Sequence, residues 1–81
     1  MKAIVTVGLK PGVLDVQGKA VARALGDLGF AGVEEARVGK VIELDLSGYG
    51  DRASAEKQVK DMCEKLLANT VIESYRVEIA S

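Results

Sequence analysis

The spacing of apolar residues changes period several times along this 81-residue chain, and the order of those changes constrains the fold more than any single motif. In residues 2–9, Ala3, Val5, Val7 and Leu9 fall on one side and Ile4, Thr6 and Gly8 on the other. A period of two with β-branched residues predicts a strand. Lys10-Pro11-Gly12 ends it, because proline has no N–H with which to continue a ladder. Asp15 is placed to cap a helix by accepting from backbone N–H groups of the next turn. After it, Val16, Ala20, Val21, Ala24, Leu25 and Leu28 recur at helical spacing, and Gly29 suits a left-handed C-cap. The spacing predicts a helix over 16–28.

Residues 33–38 and 41–47 read as two strands around Gly39-Lys40. A two-residue turn would set Arg37 opposite Ile42 and Glu35 opposite Leu44. A three-residue loop over 39–41 sets Val38 opposite Ile42 and Ala36 opposite Leu44, keeping apolar with apolar, and is favoured for that reason. A second helix is predicted over 52–67. Its stripe is Ala55, Val59, Met62, Cys63, Leu66 and Leu67, and two pairs on its charged side, Glu56 with Lys60 and Asp61 with Lys65, have the favourable i,i+4 polarity. Ala68-Asn69-Thr70 closes it, with Asn69 expected in the left-handed conformation. Residues 71–80 are the last strand, with Tyr75, Val77 and Ile79 on one face.

The resulting order is β-α-β-β-α-β. It predicts an α+β, ferredoxin-like two-layer sandwich, an antiparallel sheet with two helices on one face, as a single domain over 1–81. A chain of this size buries only roughly 60% of its unfolded surface. With three aromatic residues in all, Phe30, Tyr49 and Tyr75, it gains by burying more against another chain, so an oligomer is expected.

Composition removes whole classes of function. There is no His, which excludes His-based triads, His-Cys dyads and His-ligated metals. A single Cys excludes an intrachain disulfide and any Cys cluster. The 11 Lys+Arg against 12 Asp+Glu leave a net charge of −1, so no basic footprint draws nucleic acid. No apolar run is long enough to span a membrane, and the N-terminal residues lead into a strand without a cleavable leader. The expectation is a cytoplasmic protein with no bound metal or cofactor.

Local chemistry is sparse. Cys63 falls on the apolar stripe of the second helix, where a thiol packs as a small hydrophobe. Glu34 and Glu35 point to opposite faces and cannot form a carboxylate pair. Glu43 and Asp45 share a face with no pocket beside them. Lys10-Pro11-Gly12 and Gly39-Lys40 are the two places where a lysine meets exposed backbone, and either could hold an anion or a partner.

Three stretches add to this. Leu9-Lys10-Pro11-Gly12-Val13-Leu14-Asp15-Val16-Gln17-Gly18 resembles the first signature of the PurS family. Arg37-Val38-Gly39-Lys40 resembles its central turn. The run from Cys63 to Tyr75, CEKLLANTVIESY, resembles its third segment. The motifs come in family order and spacing, and the resemblance covers essentially the whole chain. Val16 and Thr70 stand where the family has proline.

The resemblance implies the small, non-catalytic subunit of phosphoribosylformylglycinamidine synthase in de novo purine biosynthesis. It implies a homodimer, or a dimer of dimers, that joins a glutaminase subunit to an ATP-dependent synthetase subunit. It also implies support for ammonia transfer from glutamine to formylglycinamide ribonucleotide, with ATP, Mg and glutamine used by the assembled complex and none held by this chain. Carried over residue by residue, Lys10, Gly12, Asp15, Gln17 and Gly18 match the first motif. Arg37, Gly39 and Lys40 match the second, and Asn69, Glu73 and Tyr75 the third. Lys10, Arg37, Lys40 and Glu73 are the expected partner contacts, since the others have turn, cap or packing uses. The alternative from another class is an ACT-like regulatory domain that binds a small molecule between two protomers.

Overall fold

The computed structural model describes residues 1–80. The elements are β1 (Lys2–Leu9), α1 (Val16–Asp27), β2 (Lys40–Asp45), α2 (Arg52–Met62), a π-helical turn (Cys63–Leu67) and β3 (Glu73–Ala80). The strands form one antiparallel sheet in the order β2-β1-β3. β1 is central: Val5 lies opposite Ile42 on one side and Val77 on the other. The alternation read from the sequence sets the inner face. Ala3, Val5 and Val7 are buried, with Ile42, Leu44, Tyr75, Val77 and Ile79 packed around them. Ala55, Val59 and Cys63 complete the core from the helical side. The ferredoxin-like arrangement stands, with one strand fewer than expected.

The missing strand is 33–38, which forms no strand, so the hairpin around Gly39-Lys40 does not exist. The reason is a competing use of its backbone. The Val38 N–H donates to Asp15 Oδ2 at 2.8 Å rather than to a neighbouring strand. Arg37 Nη2 donates to the carbonyls of Leu9 and Lys10 at 3.0 and 3.3 Å. These bonds tie the segment to the loop between β1 and α1.

Two further expectations are corrected. Asn69 is not left-handed, since no residue other than glycine has positive φ among the described residues. It closes the turn instead with its side chain, Oδ1 accepting from Val71 N at 3.2 Å. Leu66 is not in the core but 82% exposed. The Ala68 N–H reaches back to the Cys63 carbonyl at 3.1 Å, a five-residue step that widens the helix. The 3.6-residue stripe holds through Cys63 and is rotated beyond it, which turns Leu66 outward.

The two helices are placed differently. α2 packs on β3 and the core, while α1 packs on no other element to any extent. α1 is well built locally. Asp15 Oδ1 accepts from Gly18 N at 2.7 Å. At the other end Phe30 N donates to Leu25 O and Gly29 N to Gly26 O, both at 3.0 Å, with Gly29 at φ +96°. That is a Schellman close, which needs the left-handed glycine. Yet Val16, Val21, Leu28 and Phe30 are all exposed. The molecule measures 50 × 26 × 14 Å with a radius of gyration of 16.1 Å, against about 12 Å for a compact chain of this length. Its accessible surface is 5829 Å², where about 4,600 Å² is usual for this size.

Candidate functional site: a joint built by three sequence motifs

The three motifs meet in space. Asp15 and Gln17 from the first, Gly39 and Lys40 from the second and Glu73 from the third line one open groove of about 370 Å³ between the start of α1 and the end of β1. Lys10, Glu73 and Tyr75 line an adjoining depression with Glu64. Arg37 lies on the other side of the joint, in a groove with Lys19, Glu34 and Glu35.

Asp15 is the pivot. It is buried, and each carboxylate oxygen accepts a backbone N–H, one from Gly18 in its own helix and one from Val38, 23 residues on. Both bonds favour the ionised form, Val38 foremost, and hold the carboxyl below its ordinary value of 3.8 despite burial; the nearby Arg37 adds to this. Gly18 is required by close approach, because a Cβ there would collide with the Ala36 carbonyl oxygen. A Cβ on Gly39 would likewise collide with the Val7 carbonyl oxygen. Pro11 and Gly12 turn the chain, with Val13 N donating to Lys10 O at 3.1 Å and Gly12 at φ +88°. This is the geometry for which a Pro-Gly pair is suited.

The third motif forms a second clasp. Asn69 N donates to Glu73 Oε1 and Glu73 N donates to Asn69 O, both at 2.7 Å. Lys10 N donates to Ile72 O at 2.8 Å, tying this turn to the first motif. Tyr75 Oη donates to Glu64 Oε2 at 2.7 Å. That bond to a carboxylate, with some desolvation, pushes the phenol up to about 12. The π-helical turn, which no residue pattern announced, sets Glu64 beside Tyr75.

Of the four residues expected to meet partners, Arg37 and Glu73 use their side chains on this chain's own backbone. Lys10 and Lys40 are exposed, and no side-chain hydrogen bond or ion pair engages them among the described residues. Cys63 is buried in the core, and burial followed by the nearby Glu64 charge raises its thiol above the ordinary value. A thiol in that state packs and does not attack. Among the described residues no group of three or more Cys, Asp or Glu side chains could hold a metal ion, and no helix is long and apolar enough to cross a membrane.

This geometry has known counterparts. A model of the PurS family, phosphoribosylformylglycinamidine (FGAM) synthase, matches residues 2–81. A Synechocystis phosphoribosylformylglycinamidine synthase subunit PurS is 51% identical over 75 residues, covering 93% of this chain and 74% of that protein. The Bacillus subtilis PurS structure superposes with a TM-score of 0.87 at 46% identity, covering 99% of this chain and 98% of that one. A chain of the PurLQS structure from Thermotoga maritima matches with a TM-score of 0.85 at 32% identity, covering 95% and 93%. The fold, the three motifs and these relatives agree: the chain belongs to the PurS family, the PurS subunits of phosphoribosylformylglycinamidine synthase in purine biosynthesis.

Proposed function

We propose that this chain is the non-catalytic, cytoplasmic coupling subunit of its synthase. As a homo-oligomer it joins a glutaminase subunit to the ATP-dependent synthetase subunit and supports ammonia transfer to formylglycinamide ribonucleotide. ATP, Mg and glutamine are used by the assembled complex, and this chain holds none of them.

One observation carries the reading. The motif residues are spent on a rigid joint, and the joint holds out an amphipathic helix that has nothing of its own to pack against. A chain that uses its buried carboxylate and its arginine to fix a helix in that position is built to present a surface. The exposed apolar side chains of α1 supply contact area for an oligomer or another subunit. Lys10 and Lys40 supply charge that sets orientation and association rate more than bulk affinity. Arg37 and Glu73 act in the same contacts by fixing the backbone beside the two lysines.

The test is to mix the chain with the glutaminase and synthetase of the same genome. Glutamine-dependent synthesis should require this chain, and ammonia-dependent synthesis should not. Equal rates with and without it overturn the coupling role. Reversing charge at Lys40 (Lys40→Glu), alone and with Arg37→Glu, should weaken assembly while the chain stays folded; unchanged assembly removes these residues from the interface.

A further inference from the structure

We infer that the groove between the end of β1 and the start of α1 binds a free aliphatic α-amino acid, with its carboxylate on Lys40 and its ammonium on Glu73. The coupling role does not require this, and the two can fail separately.

The sheet register sets the two charges in place. Lys40 pairs with Val7 and Glu73 with Leu9. Residues directly opposite share a face, and Val7 and Leu9, two apart on one strand, share theirs. Lys40 and Glu73 therefore stand on the same face, on the two strands that flank β1. Two interstrand spacings of about 4.8 Å hold their backbones roughly 10 Å apart. No ion pair joins them, and neither forms one with another described residue. Glu73 is fixed at one oxygen by the Asn69 N–H, and its other oxygen has no hydrogen-bond partner among the described residues. Lys40 follows Gly39, whose close approach to the Val7 carbonyl anchors the backbone there.

Between the charges lies an apolar floor. Val7, Leu9, Leu14, Val16 and Val38 line the groove, and its volume of about 370 Å³ suits a small ligand, for which clefts run from roughly 300 Å³ upward. The lining disfavours a ligand of one charge. A simple anion drawn to Lys40 would also meet Glu73 and the ionised Asp15, and a simple cation drawn to Glu73 would meet Lys40. A molecule that carries both charges close together bridges the gap and satisfies each side with a charge-assisted hydrogen bond. The floor then selects its body. An aliphatic side chain removes apolar surface from water there, whereas a charged one would be desolvated without a partner. Leucine, isoleucine and valine have this combination.

The experiment is calorimetric titration of leucine into the full chain, with circular dichroism to monitor folding. Lys40→Met keeps the side-chain stem, and Glu73→Gln keeps an oxygen that can accept from Asn69. Each should weaken leucine binding by about tenfold or more. Leucinamide lacks the carboxylate and N-acetylleucine lacks the ammonium, so each should bind the wild-type chain about tenfold or more below leucine. The pairing is specific: Lys40→Met should no longer distinguish leucinamide from leucine, and Glu73→Gln should no longer distinguish N-acetylleucine from leucine. Absence of saturable leucine binding up to its solubility limit overturns the inference, as does binding that both folded variants retain. N-acetylleucine that binds the wild-type chain as tightly as leucine overturns it in favour of a site for a lone carboxylate. Glutamine-dependent synthesis is read separately: its independence of this chain, with leucine binding intact, overturns the coupling role and leaves the groove standing.

Discussion

The two helices of this chain carry similar apolar stripes and meet opposite fates. α2 and the π-helical turn that continues it lay Ala55, Val59 and Cys63 into the core and leave them fully buried. α1 has a correct cap, a Schellman close and a periodic stripe, yet only Gly18 within it is buried. What separates them is the connection. α1 is fixed at its first turn by Asp15 and by the contact of Gly18 with Ala36, and these point it away from the sheet it would otherwise cover. The difference divides labour along the chain. α2 stabilises the protomer, and α1 is left as surface, which the proposed function assigns to another molecule.

That division can be broken at several points. The largest effect falls on α2: Val59→Asp buries an unpaired charge, costing about 3–5 kcal/mol. That approaches the whole stability of a domain this small, so circular dichroism should report loss of fold. Second, Gly18→Val forces a side chain into the Ala36 carbonyl and should cost about 1–3 kcal/mol in chemical denaturation, with α1 released from its joint. Third, Val21→Glu on the exposed stripe of α1 should leave protomer stability within about 0.5 kcal/mol and yet weaken assembly in sedimentation or pull-down. If it unfolds the protomer instead, the contrast between the helices is wrong.

Smaller effects sharpen the comparison. Asp15→Ala removes the cap and the tie to Val38 together. Because the folded carboxyl titrates below its ordinary value, its contribution is complete above the unfolded pKa near 3.8 and is lost as pH falls through the lower folded value. The wild-type and Asp15→Ala melting curves should therefore converge in acid. The smallest effect is spectroscopic. In a Tyr49→Phe background the Tyr75 phenol should titrate near pH 12, and Glu64→Gln should bring it back toward 10.0. The raised value means that this bond's contribution is present below pH 10 and is lost as pH rises toward 12.

Most of the fold was legible because its signals are local. β1 alternates over 2–9 as read, β3 faces Tyr75, Val77 and Ile79 inward as read, and the Asp15 cap and both i,i+4 ion pairs form. What was not legible depends on distant partners. Residues 33–38 carry strand-like composition, but their polar backbone is claimed by a carboxylate 23 positions earlier and by two carbonyls 27 and 28 positions earlier. No local pattern announces that competition. Periodicity shows that α1 is amphipathic without showing what it faces. A period of 3.6 cannot announce a widened turn, so it kept Leu66 in the core. The candidate site behaves in the same way. Its residues were found as motifs, but that Asp15, Gln17, Gly39, Lys40 and Glu73 line one groove is a product of the joint.

The central position of β1 bears on how the chain acquires its structure. Lys2 pairs with Asp45 on one side and with Ala80 on the other. The sheet therefore contains no hairpin between sequence neighbours, and each ladder closes only after a long excursion of the chain. The contacts that reward folding come late and cost loop-closure entropy first. During synthesis β2 becomes available to one edge of β1 first, and the other edge stays unpaired until residues 73–80 arrive. The protomer should then form in one cooperative step once β3 is available, with slow refolding for its size and a period in which β1 is open to the wrong strand.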